Sequence, residues 1–138
     1  MNTFPSTFKG LQQLISQLRS RGGCPWDIEQ TSSSLMQYFL EETYELLEAI
    51  EENDPTLVLE EIGDLIFHLA FHIQIAKEEN HFNERSVFEA VIKKLIRRHP
   101  HVFSNIDLKK TQEVVENWQT IKKTERKNSG LSILDGIP

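Results

Sequence analysis

Between Arg21 and Lys77 the sequence contains no lysine and no arginine. Acidic side chains in that stretch have no cationic neighbour in the chain to neutralise them. Cysteine is nearly absent too: Cys24 stands alone, so no internal disulfide can form, which agrees with a reducing cytoplasm. A reactive thiol needs a nearby base or helix N-terminus to lower its pKa. Cys24, between Gly23 and Pro25, is read as an unreactive loop residue. No apolar run approaches the roughly 18 residues of a membrane span. The segment MNTFPSTFKG has no apolar centre of the signal-peptide kind. A soluble cytoplasmic protein with no membrane partner is expected. No G-x-x-x-x-G-K-[ST] occurs, which excludes a P-loop phosphate site. Basic charge is also in short supply: 15 basic against 21 acidic side chains leave a net charge of −6. A nucleic-acid partner would call for the opposite balance.

What the sequence does have is a helical period almost throughout. With 138 residues, one domain can bury a core. A first helix is expected near 6–20, with Phe8, Leu11, Leu14, Ile15 and Leu18 on one face. Arg21-Gly22-Gly23-Cys24-Pro25 breaks it, and a loop carrying Trp26 and Asp27 follows. A second helix is expected near 30–52 behind a Ser or Thr N-cap, and a third near 55–79 with Pro55 in its first turn. A fourth near 84–98 stops before Pro100, and a fifth is expected near 111–127. The fold class is all-α, a bundle of about five helices. Residues 1–127 read as one domain, and 128–138 as a loosely held tail or the start of a linker.

Two of these helices carry carboxylates in unusual places. On the second, Leu35, Phe39, Leu46, Ala49 and Ile50 form an apolar stripe; Glu42 falls within it and Glu45 lies one turn further on the same edge. The third is apolar almost all the way round from Ile62 to Ala76, so deep burial is expected. Yet Glu61 and Asp64 sit at its start, in line with Leu57, His68 and Phe71. Buried carboxylates either protonate or hold a cation. With no Lys or Arg nearby in sequence, a metal ion satisfies Glu42, Glu45, Glu61 and Asp64 together. Oxygen ligands select a hard ion, Mg²⁺ or Mn²⁺ before Zn²⁺. The acids at Glu48, Glu51, Glu52 and Glu60 read as solvated surface. Glu41 falls between the two groups. His68 and His72 share a face at i, i+4 and read as core histidines bonded to a neighbour rather than zinc ligands. The bases return as Lys93, Lys94, Arg97 and Arg98. Lys94, Arg97 and Arg98 lie within about one turn and present a cationic face; a solvated basic helix end, favoured by the helix dipole, is the plainer alternative.

The motifs Cys24-Pro25-Trp26-Asp27, Glu29-Gln30-Thr31, Leu40-Glu41-Glu42-Thr43-Tyr44-Glu45, Gly63-Asp64-Leu65, Arg97-Arg98-His99-Pro100-His101-Val102-Phe103 and Trp118 resemble, in that order, those of the MazG nucleotide pyrophosphohydrolases. The resemblance covers roughly residues 8–126 and continues weakly into Leu134-Asp135-Gly136-Ile137-Pro138. It implies an all-α enzyme that hydrolyses nucleoside triphosphates to monophosphates and pyrophosphate with Mg²⁺, Mn²⁺ being a substitute. It implies Glu42, Glu45, Glu61 and Asp64 as metal ligands. It also places Lys94, Arg97 and Arg98 near the phosphates, and Trp118 and Lys122 near the nucleotide. Glu45 or Glu41 would take the proton from the attacking water. Trp118 either stacks on the base or packs its own helix, and Trp26 is either a lid or an anchor.

The apolar third helix, with the resemblance, implies a homodimer that completes the bundle. Two rival readings remain. A ferritin-like di-metal bundle would call for Glu-x-x-His pairs, and neither acidic pair here has that form. The other rival is a non-catalytic, nucleotide-binding MazG-like unit of a longer protein.

Overall fold

The computed structural model describes residues 3–129. Met1, Asn2 and residues 130–138 lie outside the described residues, and with them most of the expected tail and the weak match at Leu134–Pro138. Among the described residues there are seven helices and no strand. In chain order they are α1 Phe8–Leu18, α2 Pro25–Glu29, α3 Ser32–Glu51, α4 Pro55–Glu78, α5 Glu84–Arg98, α6 Pro100–Phe103 and α7 Thr111–Asn128. The five expected helices are present, and the all-α class holds. The segment expected as a loop around Trp26 is instead the helix α2, and α6 is a further short one. The chain divides into two compact units, the first ending at Glu84 and the second starting at Arg85.

Local chemistry sets the boundaries in the first unit. The Thr7 hydroxyl accepts from Gly10 N–H at 3.0 Å and caps α1. Gly10 is required: a Cβ there would lie 1.8 Å from the Pro5 carbonyl oxygen, so the incoming chain crosses over a residue without a side chain. Thr31 and Ser34 bond each other reciprocally at the start of α3, a capping box with serine at its third position. The Asp54 carboxylate accepts from Thr56 and Leu57 N–H ahead of Pro55. Helices α3 and α4 both end in a left-handed asparagine, Asn53 at φ 54° and Asn80 at φ 60°. Each closes a Schellman motif: Asp54 and His81 N–H reach back to the Ala49 and Ala76 carbonyls.

In this unit α3 packs along α4, and α1 packs against α4. The core is Ile15, Leu35, Ala70, Phe71 and Ile75, with Phe8, Leu11, Leu14 and Phe67 against it. Arg19, just past the end of α1, ties the unit together. It donates to the Asp27 and Gln30 carbonyls at 2.6 and 3.0 Å. It forks onto Glu78 at 2.9 and 2.8 Å and lies over the Phe71 ring. One guanidinium thus holds α1, α2 and the end of α4 in register.

Two expectations about burial are corrected. Helix α4 is not deeply buried all round: Ile62, Ile66 and Leu69 are 40–50% exposed, because α1 and α3 cover only part of its circumference. On α3, Leu35 and Ala49 are buried, but Ile50 is exposed.

In the second unit, the Glu125 carboxylate on α7 bonds Arg97 and Arg98 on α5. His99 packs edge-on against Trp118 at 4.9 Å.

Candidate metal and phosphate sites

The acids of α3 and α4 meet. Glu42 and Glu45 are one turn apart on α3, and Glu61 comes from the second turn of α4. One oxygen of each lies within 4.8 Å of the others. Glu61 is 9% exposed and Glu42 is half-buried, whereas Glu45 and Asp64 are exposed. Burial of all four was expected; the structure buries Glu61, half-buries Glu42 and leaves Glu45 and Asp64 exposed. Asp64 stands outside the close group of three, although its charge acts on both Glu42 and Glu61.

Glu42 Oε2 and Glu61 Oε2 are shut off from solvent with no hydrogen-bond donor. A carboxylate in that condition holds its proton. Burial first, then contact with Glu61 and Glu45, pushes the Glu42 carboxyl up to about 7. Glu61 is also raised, by burial first and by Glu45, with its contact with Glu42 acting the other way. Oxygens sharing one small cation sit about 3–4 Å apart, given ligand distances near 2.1 Å. The three carboxylates need only a small closing movement to reach that spacing, and their unpartnered oxygens suit a hard cation.

The surroundings are apolar and aromatic. His68 is buried edge-on to Phe39 and Phe67, with Nδ1 unpartnered and its pKa lowered by burial first and by His72 second. His72 Nδ1 lies 3.2 Å from Ser32 Oγ, and burial lowers its pKa too. The expected bond to a neighbour is therefore seen for His72 but not at His68 Nδ1. Trp26 is half exposed and meets Tyr38 edge-on at 5.9 Å. Glu41 is exposed on α3.

The predicted phosphate-binding residues all belong to the second unit. Arg97 and Arg98 share Glu125. Burial opposes ionisation of Glu125, but the bonds from both arginines outweigh it and hold the carboxyl below its ordinary range. Arg98 also lies over the Trp118 ring at 5.4 Å. Trp118 is half-buried by these contacts. Lys94 is exposed and Lys122 half-buried, and neither forms an ion pair among the described residues. The sequence reading missed Glu125. The available signal was its i+7 spacing from Trp118, which puts both on one face of α7.

The description "MazG nucleotide pyrophosphohydrolase domain" belongs to a family model that matches residues 30–103, the stretch that carries Glu42, Glu45, Glu61, Asp64 and the arginines. The chain is a member of the MazG family. It is 43% identical over 131 residues to the uncharacterized protein YabN of Bacillus subtilis, covering 95% of this chain and 27% of that protein. It is 42% identical over 130 residues to a nucleoside triphosphate pyrophosphohydrolase of Escherichia coli K12, covering 93% of this chain and 49% of that one. The crystal structure of a mazG-related protein from Thermotoga maritima superposes with a TM-score of 0.69 at 28% identity, covering 83% of this chain and 98% of the other. This MazG chain thus spans half or less of the length of these two curated relatives. No helix among its described residues is long and apolar enough to cross a membrane.

Proposed function

We propose that this MazG chain hydrolyses nucleoside triphosphates to monophosphates and pyrophosphate, with Glu42, Glu45, Glu61 and Asp64 holding Mg²⁺ or, as a substitute, Mn²⁺. The observation that carries this reading is the pair of buried, donor-free oxygens on Glu42 and Glu61 beside a Glu45 oxygen, in a stretch of chain without one cationic side chain. A divalent cation there neutralises phosphate oxygens and lowers the pKa of water. The chain's own groups supply the rest. Glu45 and Glu41 are solvent-accessible, so either can accept a proton from water, whereas Glu61 is not. Lys94, Arg97 and Arg98 offer N–H donors to phosphate oxygens, and Lys122 and Trp118 lie on the face of α7 that the resemblance assigns to the nucleotide. The names of curated relatives support the α–β phosphate bond as the one cleaved. Product analysis tests it: NTP with magnesium should give monophosphate and pyrophosphate in equal amounts. Diphosphate and orthophosphate appearing first would overturn the reading.

The same reading includes a homodimer. Met36, Leu40, Tyr44 and Leu47 make one exposed stripe on α3, and Leu59, Ile62, Ile66 and Leu69 another on α4. The spacings of three and four residues are those of helix–helix seams. Gly63 lies in the α4 stripe with open space where a Cβ would be, so a second helix can approach its backbone closely. Sedimentation at micromolar concentration should show twice the 16.1 kDa chain mass, and Leu40→Glu with Ile66→Glu should halve it. An active wild-type monomer would count against the dimer.

A further inference from the structure

We infer that Glu125 is a positioning residue that aligns Arg97 and Arg98 as one phosphate clamp, receptive to a pyrophosphate group. This rests on the proposed function in assigning those arginines to phosphate. Its geometry lies wholly within the second unit. Adjacent residues on a helix point about 100° apart, so Arg97 and Arg98 of α5 would ordinarily diverge. Glu125 draws them together. Its Oε1 accepts from Arg98 Nε at 3.2 Å and Nη2 at 2.8 Å, and its Oε2 accepts from Arg97 Nε. Trp118 supports Arg98 from the ring face.

The edges used are informative. Glu125 takes Arg97 through Nε alone, which leaves both terminal nitrogens of Arg97, and Nη1 of Arg98, without a hydrogen bond among the described residues. Those N–H groups form the terminal fork that binds phosphate. The carboxylate therefore orders both side chains without occupying the donors a phosphate needs. Two cations and one anion leave a net charge of +1, so the group still attracts an anion. Arg97 is 52% exposed, so its free edge is open to a ligand, and the 16% exposure of Arg98 gives the clamp a fixed side.

Alignment and electrostatics give opposite signs, which makes the inference testable. Removing a negative charge beside an anion site should tighten anion binding if Glu125 acts only through its field or only as a staple between helices. Losing alignment should weaken it. The probe is inorganic pyrophosphate without metal at fixed ionic strength, read by Trp118 emission in a Trp26→Phe background. Calorimetry serves as a second reading. Glu125→Gln should weaken pyrophosphate binding about ten-fold with helical content unchanged. Arg97→Ala should cost a similar factor, and the double variant less than the two losses combined, because Glu125 acts in part through that arginine and in part through Arg98. Glu125→Asp, which keeps the charge on a shorter stem, should fall between wild type and Glu125→Gln. It remains informative if Glu125→Gln does not fold. Equal or tighter binding in Glu125→Gln, additive losses in the double variant, or no pyrophosphate binding by wild type would each overturn the inference. A wild-type chain that binds pyrophosphate in this pattern but hydrolyses no NTP would overturn the proposed function and leave the clamp standing.

Discussion

Glu61→Gln should lose turnover on the order of a thousand-fold while the helical fold survives or gains stability. The first half of this expectation comes from the ligand role. Glu61 is the most buried of the acids and has an oxygen without a donor, so an amide in its place presents one fewer negative oxygen to a cation. An amide also carries N–H groups, which repel a cation. The second half comes from the metal-free protein. Glu61, Glu42 and Glu45 have oxygens within 4.8 Å of one another, and no lysine or arginine lies between positions 21 and 77. Neutralising one member relieves like-charge repulsion, and the new amide donates to the carboxylates left beside it. A core residue exchanged for a polar one would lose both activity and stability. A metal ligand exchanged for its amide loses only activity. Near-wild-type kcat/KM in Glu61→Gln would remove Glu61 from the site. A large fall in melting temperature would make it a structural residue instead.

The parts of the structure legible in the sequence are those set by local rules. Thr31, Asp54 and Pro55 mark helix starts through contacts within a few residues, so the bounds of α3, α4 and α5 fall within a residue or two of expectation. Helices α2 and α6, of five and four residues, are shorter than the window over which a 3.6-residue period can be recognised. Glu42 and Glu61 could be singled out because an acid inside an apolar stripe is anomalous whatever the tertiary fold. Asp64 shares the row of Glu61, Glu45 lies one turn beyond Glu42, and the resemblance implies both as ligands, but none of these reports which side of a helix pair a neighbour covers. Pairings between distant residues left no local trace. Arg19 with Glu78 and Arg97 with Glu125 are 59 and 28 residues apart, and each looks like an ordinary surface charge until the helices are placed. The surplus of apolar side chains on α4 was legible as well. It is the feature that implies a partner chain completing the bundle, and within the chain Ile62, Ile66 and Leu69 are left 40–50% exposed.

The metal-free protein should melt at a lower temperature, by several degrees, near pH 8 than near pH 5, and Mg²⁺ or Mn²⁺ should reverse most of the loss at the higher pH. In the unfolded chain Glu42 titrates at the ordinary value of 4.5, whereas in the folded chain burial and its acidic neighbours raise it to about 7. A raised carboxyl stabilises the fold fully below its unfolded pKa, where it is protonated in both states. Its contribution falls away as pH rises from 4.5 through about 7, and Glu61, shifted in the same direction, adds to the slope. The carboxyls shifted downwards act outside this window. Glu78 and Glu125, held low by arginines, and Glu84, held low chiefly by a backbone hydrogen bond, lose their contribution only as pH falls below 4.5. His68 and His72 oppose the trend, because their lowered pKa values make stability rise with pH up to about 6.5. The cluster is therefore best isolated by difference against Glu42→Gln, which has the shape of a protonated glutamic acid at every pH. Wild type and Glu42→Gln should melt together near pH 5 and diverge towards pH 8, with wild type the lower. Added Mg²⁺ should raise wild type and leave Glu42→Gln nearly unmoved, since cation binding acts in proportion to the ligands present. If the two proteins keep a constant difference from pH 5 to pH 8, Glu42 does not hold its proton in the fold. If Mg²⁺ stabilises both equally, the cation binds elsewhere.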